Sequence, residues 1–134
     1  MLPDISRTLG GREALPALLD DIESGLSARG VPAAAIAAVS VALDEVVTNA
    51  FGHGGATTVE VAARVADGSV TVEVGDDGPA FDPTCAPEPD TGAELEHRHV
   101  GGLGIHMVMK LMDGVAYERR PGRNHLRLSK AVGL

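Results

Sequence analysis

Three groups of residues in this chain have types and spacings that could do chemistry. Glu45 and Asn49 stand four apart in an apolar run, Asp76-Asp77-Gly78 closes a run of alternating valines, and Gly101-Gly102-Leu103-Gly104 opens a further apolar stretch. A carboxylate within reach of a hydroxyl can take its proton. An amide and a carboxylate oxygen one helical turn apart suit a hard cation such as magnesium, which keeps several waters and binds few protein oxygens beside phosphates. Glycines at a helix start expose backbone amides to an anion and let the backbone approach phosphates closely. An inward carboxylate at the floor of a pocket can accept from an exocyclic amine. Together these are the parts of a magnesium-nucleotide site without a G-x-x-x-x-G-K-[ST] loop, which the sequence lacks. Each group also has a plainer reading: glycines end loops, Asp76 can begin a turn, and Glu45 can be ion-paired.

These residues need elements to hold them. From Ala33 to about Gly52, Ile36, Val39, Leu43, Val46, Val47 and Ala50 form one stripe at helical spacing, which predicts a core-facing helix. Its other face, with Ala34, Ala38, Val41, Ala42, Glu45 and Asn49, is also apolar apart from one carboxylate and one amide. Such a helix is covered on both sides or lines a cavity, so Glu45 and Asn49 are expected to share a recess. Thr57 to Ala66 and Ser69 to Asp76 alternate as strands around Asp67-Gly68, a hairpin signal. The same alternation points Asp76 inward with Val70, Val72 and Val74.

Around this centre, Asp4 to Leu9 reads as a strand and Gly11 to Arg29 as a helix. Leu103 to Met112 reads as another helix, and Val115 to Arg119 with His125 to Lys130 as a hairpin across Pro121-Gly122. The order predicts an α+β fold, a two-layer sandwich whose mixed, mostly antiparallel sheet is covered on one face by helices. Asp82 to Gly92, rich in Pro and acids, reads as a loop inside one domain spanning 1–134.

Composition narrows the partners. Of 134 residues 11 are Lys or Arg and 19 Asp or Glu, a formal charge of −8, which disfavours a nucleic-acid footprint. Phe51, Phe81 and Tyr117 are the only aromatics, which strongly disfavours a base-stacking surface. One cysteine, Cys85, forms no intramolecular disulfide and no Cys-rich zinc site. The apolar run Val31 to Leu43 falls short of the roughly 18 residues a membrane span needs. The start of the chain, with Asp4 and no basic leader, does not read as a signal peptide. A cytoplasmic location without membrane contact is expected.

In order and spacing the motifs resemble a known family. Leu43-Asp44-Glu45-Val46-Val47-Thr48-Asn49-Ala50-Phe51-Gly52-His53-Gly54 resembles the N-box of the ATP-binding GHKL superfamily, which includes histidine kinases and type II topoisomerases and has the Bergerat fold. Asp76-Asp77-Gly78-Pro79-Ala80-Phe81-Asp82-Pro83 resembles its first glycine box and Gly101-Gly102-Leu103-Gly104-Ile105 its second. The Phe-Asp-Pro ending, the run Gly-Gly-Leu-Gly-Ile-His-Met-Val and the closing Gly122-Arg123-Asn124-His125-Leu126-Arg127-Leu128 are most similar to the anti-sigma factor serine/threonine kinases of bacterial partner-switching systems.

That resemblance implies ATP and Mg2+ as cofactors. It implies that Glu45 is the general base, that Asn49 binds magnesium, and that Asp76 accepts from the adenine amine with Gly78 giving the ring room. It further implies that 79–100 is the ATP lid, with Arg98 offering charge to the terminal phosphate. Gly102, Leu103 and Gly104 would present amides to the phosphates. The implied partners are an anti-sigma factor antagonist, as phospho-acceptor, and a sigma factor or equivalent regulator; a homodimer is also implied. One departure stands at Ala80, where the first box usually has a glycine, because Ala tolerates positive φ poorly. A second reading is a non-catalytic ATP-binding module that sequesters its partner. Retention of Glu45 favours the kinase.

Overall fold

The computed structural model describes residues 3–85 and 102–132. Strand β1 (Ile5–Leu9) leads through a 3-10 turn at Arg12–Ala14 into α1 (Leu15–Ala28) and then α2 (Ala33–Gly52). Strands β2 (Val59–Ala66) and β3 (Ser69–Asp76) follow, then a 3-10 turn at Pro83–Cys85, α3 (Gly102–Leu111), β4 (Gly114–Arg120) and β5 (Arg123–Ala131).

The helices form where apolar residues recur every three or four positions. In α1, Pro16 sits in the first turn, where its missing N–H costs nothing. Leu15, Leu18, Ile22 and Leu26 are its buried stripe. Gly30, at φ 80°, turns the chain, and Val31 donates back to the Leu26 carbonyl at 3.1 Å. In α2 the buried stripe is Ala35, Val39, Ala42, Leu43, Val46, Val47 and Ala50. Ile36, expected in that stripe, is half-buried instead.

The sheet order is β1-β2-β3-β5-β4, and all four pairings are antiparallel. The fold class is the expected α+β sandwich, with one correction: no pair is parallel, so the sheet is not mixed. Two helices separate β1 from β2, so the chain returns running the opposite way. The connection through α3 does set β4 parallel to β3, but β5 lies between them and pairs with both. The hairpin at Asp67-Gly68 has positive φ at both residues, 54° and 75°, as a type I′ turn requires.

One sheet face holds Val59, Val61, Ala63, Val70, Val72, Val74, Leu126 and Leu128, all buried with the helix stripes in one core. Each Val and Leu side chain among them contributes roughly 1.5–3 kcal/mol relative to exposure. The other face carries Glu60, Arg64, Thr71, Glu73, His125 and Arg127, none of them buried.

Helix α2 is long and apolar enough to cross a membrane by length and composition, which the shorter run Val31 to Leu43 concealed. Asp44 and Glu45 lie within it, and its buried stripe belongs to the core. Its second face differs from expectation. Ala42 is buried, but Ala34 is exposed and Val41 is 44% exposed. With 10 residues against the 20 of α2, α3 covers only part of that face.

Candidate functional site

The site begins at the end of β3. Alternation turns Asp76 toward the helices, and the register sets it between Val59 of β2 and Asn124 of β5. Its Oδ1 accepts from the Gly78 N–H at 2.8 Å and from Asn124 Nδ2 at 3.0 Å. Among the described residues nothing donates to Oδ2, so the outer oxygen keeps an acceptor position for a ligand.

Above Asp76 lies a narrow recess, open at its mouth. Its walls are apolar: Val46 and Ala50 from α2, Val74 from β3, Ile105 from α3 and Leu126 from β5. Asn49, Asp76 and Asn124 are its polar groups, and Phe81 and Tyr117 also line it. A flat heteroaromatic ring with one exocyclic donor fits such walls and a lone acceptor at the floor.

Glu45 is placed differently from the expectation that it shares this recess. It is half-buried one turn before Asn49 and is not a wall of the recess. Its carboxyl end lies on Gly104 in the first turn of α3, occupying the space a β-carbon would take there. Ile105, the next residue, is a recess wall. The three expected groups therefore meet, with Asn49 and Asp76 inside the recess and Glu45 at its α2–α3 edge. Among the described residues no three His, Cys, Asp or Glu converge to hold a metal ion. A magnesium ion would draw its ligands from Asn49 and from phosphates, which suits its habit of taking one or two protein ligands.

The rim is held by a network that the sequence did not announce. Asn124, 6% exposed, is the one buried polar or charged residue among those described. Its Nδ2 donates to Asp76 Oδ1 and to the Pro79 carbonyl at 2.8 Å. Its Oδ1 accepts from the Phe81 N–H at 3.1 Å, the Tyr117 hydroxyl at 2.6 Å and Arg119 Nη1 at 3.3 Å. Arg119 Nη1 also donates to the Gly78 carbonyl at 2.9 Å. The available signal was parity: Asn124 has the inward phase of Leu126 and Leu128, which is unusual for an amide.

Asp77 faces the other way and ties the loop before β2 to the end of β3. It accepts from the Thr57 hydroxyl, from the Thr57 N–H at 2.8 Å and from the Thr58 N–H at 3.1 Å. These donors, the Thr57 hydroxyl foremost, hold its carboxyl well below the usual carboxylate range. Gly78 is packed under the same loop: a β-carbon there would lie 2.5 Å from the Gly54 carbonyl oxygen. Ala80 does not take the positive φ a glycine would permit, since Asp67 is the one non-glycine residue with positive φ among those described. The lid root thus accommodates alanine without strain.

Several expected residues fall elsewhere. Arg98, Gly101 and positions 86–100 of the lid lie outside the described residues, and for Leu103 only its place in α3 is described. Gly102 is the first residue of α3. His53 is the C-cap of α2, its N–H donating to the Asn49 carbonyl at 2.9 Å.

Residues 11–130 match the family described as the histidine kinase-like ATPase domain. The chain belongs to that family. This ATPase domain is also similar to the serine/threonine-protein kinase BtrW of Bordetella bronchiseptica, 33% identical over 88 residues, or 66% of this chain and 62% of BtrW. The chain thus spans less than two thirds of that relative. In fold it is similar to the RsbU and RsbW domains of Rv1364c from Mycobacterium tuberculosis, with a TM-score of 0.68 at 21% identity, over 96% of this chain and 32% of that one. It is also similar to the SiaB–SiaC complex from Pseudomonas aeruginosa, with a TM-score of 0.66 at 13% identity, over 93% of this chain and 88% of that one. The family is a nucleotide-binding one, in keeping with the apolar recess and its lone carboxylate floor.

Proposed function

We propose that this ATPase domain is an ATP-dependent protein serine/threonine kinase of a bacterial partner-switching system. Its phospho-acceptor would be an anti-sigma factor antagonist, and the domain would sequester a sigma factor or equivalent regulator. The observation that carries the reading is the meeting of Asp76 and Asn49 in one recess with Glu45 at its edge. The likeness to a relative named as a serine/threonine-protein kinase supports the same reaction class.

Position supports the following roles. Asp76 Oδ2 accepts from the adenine amine, the apolar walls receive the ring, and the Asn49 amide oxygen holds magnesium. Magnesium held there would neutralise phosphate charge. Glu45 takes the proton of the acceptor hydroxyl as its oxygen bonds to the terminal phosphorus and the bond to ADP breaks. Gly102 and Gly104 lie at the start of α3, where backbone amides are free for phosphate oxygens.

Calorimetry with Mg-ATP on the parent and on Asp76→Asn is the first test. Micromolar binding in the parent, weakened at least tenfold in the variant, supports the site. Transfer of label from [γ-32P]ATP to purified antagonist proteins of the same organism, lost in Glu45→Ala with binding kept, supports the kinase. Binding without transfer to any of them would favour the sequestering module.

A further inference from the structure

Glycine at position 104 has a use apart from amide presentation. A β-carbon built there overlaps Glu45 Oε1 and lies 2.8 Å from Glu45 Cγ. The three atoms nearest to it all belong to the Glu45 side chain, and none is backbone. This differs from Gly78, where the nearest atom is the main-chain carbonyl oxygen of Gly54. A side chain at 78 must move the fold, whereas at 104 the three closest atoms all belong to the Glu45 side chain, which must move first. The two residues meet because α2 and α3 pack side by side, with Ile105 and Val108 buried beside Gly104. Those neighbours fix the height of α3 over α2.

We propose that Gly104 is the positioning residue for Glu45: its missing side chain is the seat of the carboxylate, and any larger residue displaces the base while leaving the nucleotide recess standing. The proposal deepens the kinase reading and rests on it for the catalytic consequence. Glu45 is half-buried, one turn from the exposed Val41, so a displaced carboxylate has solvent to swing into on that side. Its distance from the reacting hydroxyl then becomes variable, and general-base catalysis is lost with it.

The test uses the full chain and two readouts. The first is the side-chain carboxyl 13C resonance of Glu45, assigned by its absence from Glu45→Gln and recorded without nucleotide. It is expected to move in Gly104→Ala toward the position of an exposed glutamate, and an unchanged resonance overturns the proposal. The second is release of phosphate from [γ-32P]ATP, with water as acceptor. Gly104→Ala is expected to bind Mg-ATP within about threefold of the parent and to turn it over about a hundredfold more slowly. Glu45→Ala should lose as much, and the double variant no more than either, because both remove one function. Glu45→Asp in the Gly104→Ala background should recover part of the rate, since the shorter acid clears the added methyl. A variant that instead loses Mg-ATP affinity but keeps the rate of bound nucleotide would return Gly104 to phosphate binding alone. In a parent that releases no phosphate to water, the same rates are compared by label transfer to the antagonist acceptor, and the carboxyl resonance still decides whether Gly104 seats Glu45.

Discussion

Asn124 fixes which oxygen of Asp76 faces the ligand. Phe81, Tyr117 and Arg119 all donate to Asn124 Oδ1, so its amide can point only Nδ2 at Asp76, which it meets at 3.0 Å. With the Gly78 N–H also on Oδ1, that oxygen is filled. An adenine amine then has one acceptor to find, and a guanine carbonyl at the same place meets only a carboxylate.

This ordering makes Asn124→Leu informative, because the side chains are close in volume. Losing the amide takes this partner from the Phe81 N–H, the Tyr117 hydroxyl and the Pro79 carbonyl, which costs about 1–3 kcal/mol of stability. More specifically, the parent should prefer ATP over the purine triphosphate lacking the 6-amino group, and the variant should prefer it less. Titration of both nucleotides into both proteins measures this. An unchanged preference would separate Asn124 from base recognition.

Gly78 offers a contrast between two glycines. A methyl at 78 meets the Gly54 carbonyl oxygen at 2.5 Å and Asp76 Oδ1 at 3.0 Å, so the loop must lift from the end of β3. Overpacking of this kind costs typically 1–3 kcal/mol, a fall in Tm of roughly 3–12 °C. Gly10 has nothing within 4 Å of its added methyl and no positive φ. Gly10→Ala should therefore leave Tm unchanged or slightly raised. Equal melting of the two variants would remove the packing argument at 78.

How far these features were legible depends on how local their causes are. The bounds of α2 and β3, the Asp67-Gly68 hairpin and the inward phase of Asp76 follow from periodicity and turn chemistry, which neighbours in sequence set. The insertion of β5 between β3 and β4 does not, because it depends on which sheet edge the second hairpin joins. Asn124 bonds to Asp76, Pro79, Phe81, Tyr117 and Arg119; its inward phase was readable, but its partners were not. The seat of Glu45 on Gly104 joins residues 59 apart, and no spacing rule covers it. Ala80 shows the reverse case, where a family pattern suggested strain and the backbone avoids it.

Acid should reveal the role of Asp77. Thr57 and Thr58 hold its carboxyl below its ordinary value of 3.8 in the folded chain, while in the unfolded chain those donors are gone. A depressed folded value means stability that is complete above the unfolded value and is lost as pH falls below it. In Asp77→Asn the side chain keeps one acceptor oxygen but cannot ionise, so it lacks this pH-dependent part. The parent should melt higher than the variant by a constant margin from about pH 5 to 7, and the margin should shrink as pH drops below about 4. Melting both proteins across pH 2.5 to 7 measures the margin directly. A gap that stays constant to the acid end would mean that the Thr57 and Thr58 contacts do not depend on the Asp77 charge.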